Sequence, residues 1–281
     1  MWEKSGQNGI CSRQLSVGSK ARYFGKPILP WEALLIPNPI LKVLSSMAAH
    51  RVRCLLMGGQ ACVFYGAAEF SRDSDFAIVA DAENLARLRD ALSELQAGVI
   101  AVPPFELGYL ENGHAVHFRC MHPDCRGLRV DLMSVMRGVD TFELIWERRA
   151  TVVLPDGTVC DLLSVADLVK AKKTQRDKDW PMIRRLLEAD YFQHRNQQPD
   201  AERVQFWLGE VRTPELLISL CGEYPNAATH ATERRPLIRM AIHGDVDALE
   251  EALRFEEFEE RRKDREYWAP LKRELEMLRR R

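Results

Sequence analysis

The sequence predicts an α+β protein: a mixed sheet flanked by helices, followed by an α-helical C-terminal region. Three observations predict it. Apolar runs of strand character alternate with helically spaced segments up to about residue 190, so both kinds of element share one unit. Beyond residue 200 only helical patterns remain. Between them, Gln193-His194-Arg195-Asn196-Gln197-Gln198-Pro199-Asp200 is a polar, Pro-containing stretch without periodicity, as expected of a linker. The implied division is a flexible arm over residues 1–30, a first domain over 31–192 and a helical domain over 200–281.

Composition narrows the class. The chain has 281 residues, net charge −1 and 46% hydrophobic residues, which is ordinary for a globular protein with a real core. No apolar run reaches the length of a membrane span, so no membrane association is expected. The opening Met1-Trp2-Glu3-Lys4-Ser5-Gly6-Gln7 lacks the apolar core of a secretory signal. Seven cysteines, an odd number in a large chain, read as reduced thiols and point to the cytoplasm.

Each element has its own signal. Asn38-Pro39 ahead of Ile40, Leu41, Val43, Leu44 and Met47 starts a helix: Asn caps, Pro suits the first turn, and the apolar positions share a face. Val52–Met57 reads as a strand, Gly58-Gly59-Gln60 as a turn and Ala61–Gly66 as a short helix. The end of Ser71–Val79 is a second strand. Asp81 opens a helix through Leu95, with Leu85, Leu88, Ala91, Leu92 and Leu95 in one stripe. Residues 113–119 and 128–133 are neighbouring strands joined by loop 120–127. A hairpin over 150–160 turns at Pro155-Asp156-Gly157. Ser164-Val165-Ala166-Asp167 is a capping box with Asp in place of Glu, and its helix is predicted to run through Arg176. Thr213-Pro214 and Arg235-Pro236 begin further helices, whose apolar faces (Leu216, Leu217 and Leu220, then Leu237, Ile238, Met240 and Ile242) need burial, and Gly244-Asp245 precedes a long charged one.

The chemistry concentrates at Gly58-Gly59 and at Asp73 and Asp75. Glycines between strand and helix let backbone N–H groups approach an anion closely. On a strand, positions i and i+2 share a face, so Asp73 and Asp75 project side by side. Two such carboxylates repel unless a cation sits between them, and Mg²⁺ is typically held by one or two carboxylates plus substrate phosphates. The run Met57-Gly58-Gly59, thirteen residues, then Asp73-Ser74-Asp75-Phe76 resembles the signature of the nucleotidyltransferase fold of the DNA polymerase β-like superfamily. The resemblance extends over roughly residues 38–190 and points to the bacterial branch of minimal and abortive-infection toxins. It implies a nucleotidyltransferase-like mixed sheet, with the glycine turn and Ser71 on a nucleoside triphosphate and the aspartates on Mg²⁺ or Mn²⁺. Two positions depart from the family pattern. Ser74 replaces an apolar residue on the face turned away from the carboxylates, and Glu69 stands where many bacterial relatives carry Arg, with Arg72 available to balance it.

The resemblance also implies a third carboxylate on a later strand. In Leu128–Met133, Leu128, Val130 and Leu132 face one way and Arg129 and Asp131 the other. An Asp in a buried-looking strand needs a partner. Asp131 is therefore the candidate third metal ligand and catalytic base, or else a strand Asp paired with Arg129 or Arg137. At 100° per residue, Val165, Leu168, Val169, Lys172 and Arg176 share a helix face while Lys170 points away. Lys172 is the expected phosphate ligand, Lys173 its runner-up, and Arg176 continues the face. Arg176-Asp177-Lys178-Asp179 resembles the Arg-x-Lys-Asp that follows the motif lysine in bacterial members. Asp179 is expected to orient Lys172 or Arg176.

Two other stretches are weaker. His114, His117, Cys120, His122 and Cys125 are dense in zinc-type ligands, but alternation separates His114 from His117 and no second Cys pair follows. Residues 261–272 mix basic, acidic and aromatic side chains, with Tyr267 and Trp268 as stacking surfaces for a polynucleotide. Alternating charge signs there equally describe a solvated helix face. The expected function is a Mg²⁺-dependent transfer of a nucleoside monophosphate from an NTP to an acceptor hydroxyl. The acceptor would be tRNA or another target of a toxin–antitoxin component with an antitoxin partner, or a small antibiotic molecule. The alternative is a catalytically inactive nucleotide-binding or interaction module on the same fold.

Overall fold

Strands and helices alternate through the first two thirds of the chain, and the strands join in one mixed sheet. The computed structural model describes residues 38–280 and the backbone of Arg22–Tyr23. The rest of the expected N-terminal arm lies outside the described residues. The strands are β1 (Arg22–Tyr23), β2 (Cys54–Met57), β3 (Asp73–Ile78), β4 (Gly98–Val99), β5 (Val116–Arg119), β6 (Arg129–Met133), β7 (Ala150–Val153) and β8 (Val159–Leu162). Their order across the sheet is β1-β7-β8-β2-β3-β6-β5-β4. β3 runs parallel to β6 and antiparallel to β2, and β5 runs antiparallel to β6. The hairpin predicted over 150–160 is β7–β8.

The helices of this part are α1 (Asn38–Ala49), α2 (Gly58–Phe64), α3 (Ala82–Glu94), α4 (Leu107–Glu111), α5 (Phe142–Glu147), α6 (Val165–Ala171) and α7 (Asp179–His194). α1 packs against α3, β3 and β8 through Ile40, Val43, Leu44 and Met47, all buried. Burying an aliphatic side chain of this size contributes about 1.5–3 kcal/mol, so this stripe alone commits the helix to the sheet. Asp81 caps α3, its side chain accepting from the Asn84 N–H at 2.7 Å. Leu85, Leu88, Ala91, Leu92 and Leu95 are all buried, as their spacing predicts.

One boundary differs. The helix expected to reach Arg176 ends at Ala171, with Lys172 as its C-cap. Continuing it would place Lys172 and Arg176 at i,i+4, a like-charge pair that disfavours helix. Instead residues 172–178 form a loop. Thr174 Oγ1 donates to Asp179 Oδ2 at 2.6 Å, and Trp180 Nε1 donates to the Thr174 carbonyl at 2.8 Å.

Beyond Asp200 every described element is a helix: α8 (Ala201–Glu210), α9 (Pro214–Glu223), α10 (Pro225–Ala231), α11 (Ile238–His243) and α12 (Val246–Arg279). α9 packs on α11 and α12, and α10 on α8. Leu217, Leu220, Leu237 and Ile238 are buried as expected, but Met240 and Ile242 are 37% and 46% exposed. α11 is only six residues long and turns Ile238 and Ala241 inward, leaving Met240 and Ile242 outside that stripe. α12 has 34 residues and so runs about 50 Å. No described helix is long and apolar enough to cross a membrane.

Candidate active site

Strand register builds the centre of the site. Met57 lies opposite Asp75, Asp75 opposite Asp131, and Asp131 opposite His117, forming one row across β2, β3, β6 and β5. Asp73 lies opposite Arg129 on the same face. All of these residues line a cavity of about 540 Å³, together with Gly58, Gly59, Ser71, Lys172 and Arg176. The structure thus brings every sequence-predicted site residue to one place. On the other face of β3, Ser74 is fully buried and its hydroxyl has no hydrogen-bond partner among the described residues. It occupies a position that suits an apolar side chain.

The glycines serve a tighter purpose than expected. Gly58 has φ +67°, and a Cβ there would lie 1.8 Å from Asp75 Oδ2. A Cβ on Gly59 would lie 2.7 Å from Ser71 Oγ. Only glycine admits this backbone conformation with a carboxylate pressed against it. Ser71 in turn donates to the Asp73 carbonyl at 3.1 Å and holds the start of β3. Cys62, on the same short helix, donates its thiol to the Gly58 carbonyl at 3.1 Å and sits in the core.

The three carboxylates differ sharply in their surroundings. Burial, then the neighbouring Asp131 and Asp73 charges, pushes the Asp75 carboxyl up to about 6, although Lys172 and Arg176 pull the other way. No hydrogen-bond donor reaches the Asp75 carboxylate among the described residues. Asp131 is fully engaged. Arg129 donates to both of its oxygens, Nε to Oδ1 at 2.7 Å and Nη2 to Oδ2 at 2.6 Å, and His117 Nδ1 lies 2.9 Å from Oδ1. Burial would raise the Asp131 carboxyl, but the hydrogen bonds from His117 and Arg129 outweigh it and hold it below the usual range. Asp131 therefore stands beside Asp75 and is paired with Arg129, the second of the two alternatives for it. Among the described residues, no three His, Cys, Asp or Glu side chains stand in a metal-binding arrangement.

Lys172 is buried and points into the cavity, with Nζ 3.6 Å from Asp179 Oδ1. Its inward direction agrees with the helical phase, although it sits on the cap. Arg176 lies outside any helix and reaches the cavity from the loop, donating from Nε to Asp179 Oδ2 at 2.7 Å. Asp179 thus orients both cations. Lys173 pairs with Glu210 at 2.6 Å, and Lys170 stays 40% exposed near Asp167. Arg72 lies over the Phe70 ring, 5.9 Å from its centroid, and makes no ion pair with Glu69.

The third wall comes from α12, through Asp264, Trp268 and Leu275. Trp268 thereby faces the cavity, whereas much of the rest of the helix carries i,i+3 and i,i+4 ion pairs such as Arg262 with Glu259 and Glu266. His114 is fully buried, its Nε2 2.6 Å from Glu274 Oε2 on α12. The His- and Cys-rich stretch is dispersed: His114 reaches α12, His117 joins Asp131, His122 caps the turn Pro123–Cys125, and Cys120 and Cys125 are buried free thiols.

Sequence reasoning did not identify Arg137 and Asp264 as site residues. Arg137 Nε donates to Asp264 Oδ1 at 3.2 Å. On α12 the buried residues are Leu249, Leu253, Asp264 and Leu271, so a charge interrupts the inward stripe, but the sequence of this charged helix does not mark which positions face inward. The chain matches no known family model and no curated protein.

Proposed function

We propose that the protein is a divalent-metal-dependent nucleotidyltransferase, moving a nucleoside monophosphate from an NTP to an acceptor hydroxyl. The observation that carries this reading is Asp75. It is a shielded carboxylate beside Asp73 and Asp131, left without a donor, in the same cavity as a glycine turn and an inward lysine. Such a group is incomplete without a cation. Asp73 and Asp75 fit Mg²⁺ or Mn²⁺, which accept one or two carboxylates and complete their shell with phosphate oxygens. The bound cation would supply charge against the negative charge developing on the phosphoryl oxygens.

The chain's own residues account for the rest. Lys172, held by Asp179, offers a buried ammonium to the triphosphate, with Arg176 beside it at the solvent edge. Gly58 and Gly59 keep the strand–helix turn low enough for the reacting phosphate to approach Asp75. In the transfer, the acceptor oxygen forms a bond to the α-phosphorus as the bond to pyrophosphate breaks. The hydroxyl proton leaves to a carboxylate of the row. Asp131 can take that role only by loosening its bond to Arg129.

That grip favours a second reading, in which the fold binds a nucleotide without transferring it. One experiment separates the two. Each α-labelled NTP is incubated with the protein, Mg²⁺ and a cell extract. Label appearing on a macromolecule or small molecule supports transfer and reports the acceptor. Metal-dependent NTP binding by calorimetry, without any labelled product, leaves the binding module. Binding that is unchanged by EDTA would remove the metal bridge altogether.

A further inference from the structure

We propose that Asp264, on the C-terminal helix α12, is a positioning residue that holds loop 172–178 so that Lys172 stays turned into the cavity. Its meaning for phosphate contact rests on the nucleotidyltransferase reading. The loop begins where α6 stops, so no helical ladder fixes its backbone. Asp264 supplies the missing partner from outside. It is 2% exposed, and Oδ2 accepts the Gln175 N–H at 2.8 Å. Its other oxygen, Oδ1, accepts from Arg137 Nε, and Arg137 Nη2 donates to the Lys173 carbonyl. The loop backbone is thus held at two adjacent points by one buried ion pair.

The arrangement is specific in three ways. Charge-assisted hydrogen bonds to a buried carboxylate are about twice as strong as neutral ones. The Asp stands where α12 otherwise turns leucines inward, so a larger apolar residue would have served if burial alone were needed. Further contacts from α12 close on the same few residues: Arg261 Nη1 donates to Asp177 Oδ1, and Arg261 also reaches the Gln175 carbonyl at 3.3 Å. Arg137 is tied in addition to Glu260 at 3.1 Å, which keeps its guanidinium in place for Lys173. α12 therefore acts on the site through the loop, without itself supplying the phosphate ligand.

The test compares Asp264→Asn with Asp190→Asn, a buried carboxylate on α7 whose partners are Arg203 and Trp207 and not the loop. Amide hydrogen exchange is followed over residues 172–178 in the full chain, and ATP affinity is measured in Mg²⁺ by calorimetry. The expected result is exchange about tenfold faster in Asp264→Asn, the scale of one lost charge-assisted hydrogen bond, and unchanged loop exchange in Asp190→Asn. ATP binding should weaken by about tenfold in Asp264→Asn, and this loss should vanish when Lys172 is already alanine, as coupling through that lysine requires. Unchanged loop exchange in Asp264→Asn overturns the proposal. So does equal acceleration in both variants, or faster exchange with ATP affinity intact. If the wild-type protein binds no NTP with Mg²⁺, the nucleotidyltransferase reading falls, while the exchange result still decides whether Asp264 holds the loop.

Discussion

Asp75 in the sheet and Asp190 on helix α7 are both shielded carboxylates, and they respond to that shielding in opposite ways. Asp190 is 5% exposed and receives Arg203 Nη1 and Trp207 Nε1, each at 2.7 Å, with His194 Nδ1 3.3 Å away. Burial alone would raise its carboxyl, but the His194 and Trp207 hydrogen bonds with the Arg203 charge hold it below the ordinary range. Asp75 meets further carboxylates and no donor, and is pushed up to about 6. The fold clearly can satisfy a buried carboxylate. Where it does not, at Asp75, the proposed function assigns the missing partner to a bound cation.

The largest test of that contrast exchanges the two. Asp75→Asn and Asp73→Asn should each cut transfer by about a thousandfold or more, because charge stabilisation in the transition state passes through that pair. Their melting temperatures should hold or rise. Asp190→Ala should do the reverse, costing about 3 kcal/mol of stability by orphaning Arg203 and the Trp207 N–H, with transfer intact in the folded fraction. Labelled-product assays and chemical denaturation of the same preparations check both. A destabilised but active Asp75→Asn would erase the contrast.

A smaller effect lies in pH. The folded-state pKa of Asp75 is above its ordinary value, so the native protein binds this proton more tightly than the unfolded chain does. The stability it contributes is present below about pH 4 and is lost as pH rises through about 6. The melting temperature of Asp75→Asn should therefore match wild type near pH 4 and exceed it by a few degrees above pH 6. Mg²⁺ should close part of that gap in wild type only. A gap independent of pH would mean the carboxylate is not strained by its own charge.

The smallest contrast is between neighbouring lysines. Lys172→Ala should weaken NTP binding by about tenfold or more, since a charge-assisted contact is removed, whereas Lys170→Ala should leave it within error. Calorimetric titration in Mg²⁺ decides. Equal losses would return the phosphate contact to the general basic character of the segment.

Much of the carboxylate row was legible in the chain, because strand alternation is a local property. The Asp73–Asp75 spacing put both on one face, and the Arg129–Asp131 alternation put them together on the next strand. Lys172 came from helical phase, which survives even at a cap. The end of α6 was harder, since the Thr174–Asp179 and Trp180–Thr174 hydrogen bonds that hold the following loop lie within an otherwise continuous helical pattern. The grip of Arg129 on Asp131 was named only as an alternative, because sequence does not choose between an ion pair and a metal shell. Met240 and Ile242 were misplaced because a six-residue helix buries only one narrow stripe. Asp264 escaped because its partners, Arg137 and Gln175, are distant in the chain and no local pattern links them.

That distance sets an order of events. Arg137 and Asp264 are separated by 127 residues. At synthesis rates of 5–20 residues per second, the second arrives on the order of ten seconds after the first. The strands carrying Asp73, Asp75 and Asp131 are complete by Met133 and can pair well before that. For that interval a growing chain holds the carboxylate row without the anchor of loop 172–178. Under the proposed nucleotidyltransferase reading, metal affinity and triphosphate affinity should therefore mature at different times on the ribosome, with a chain stalled between residues 137 and 264 binding metal before triphosphate.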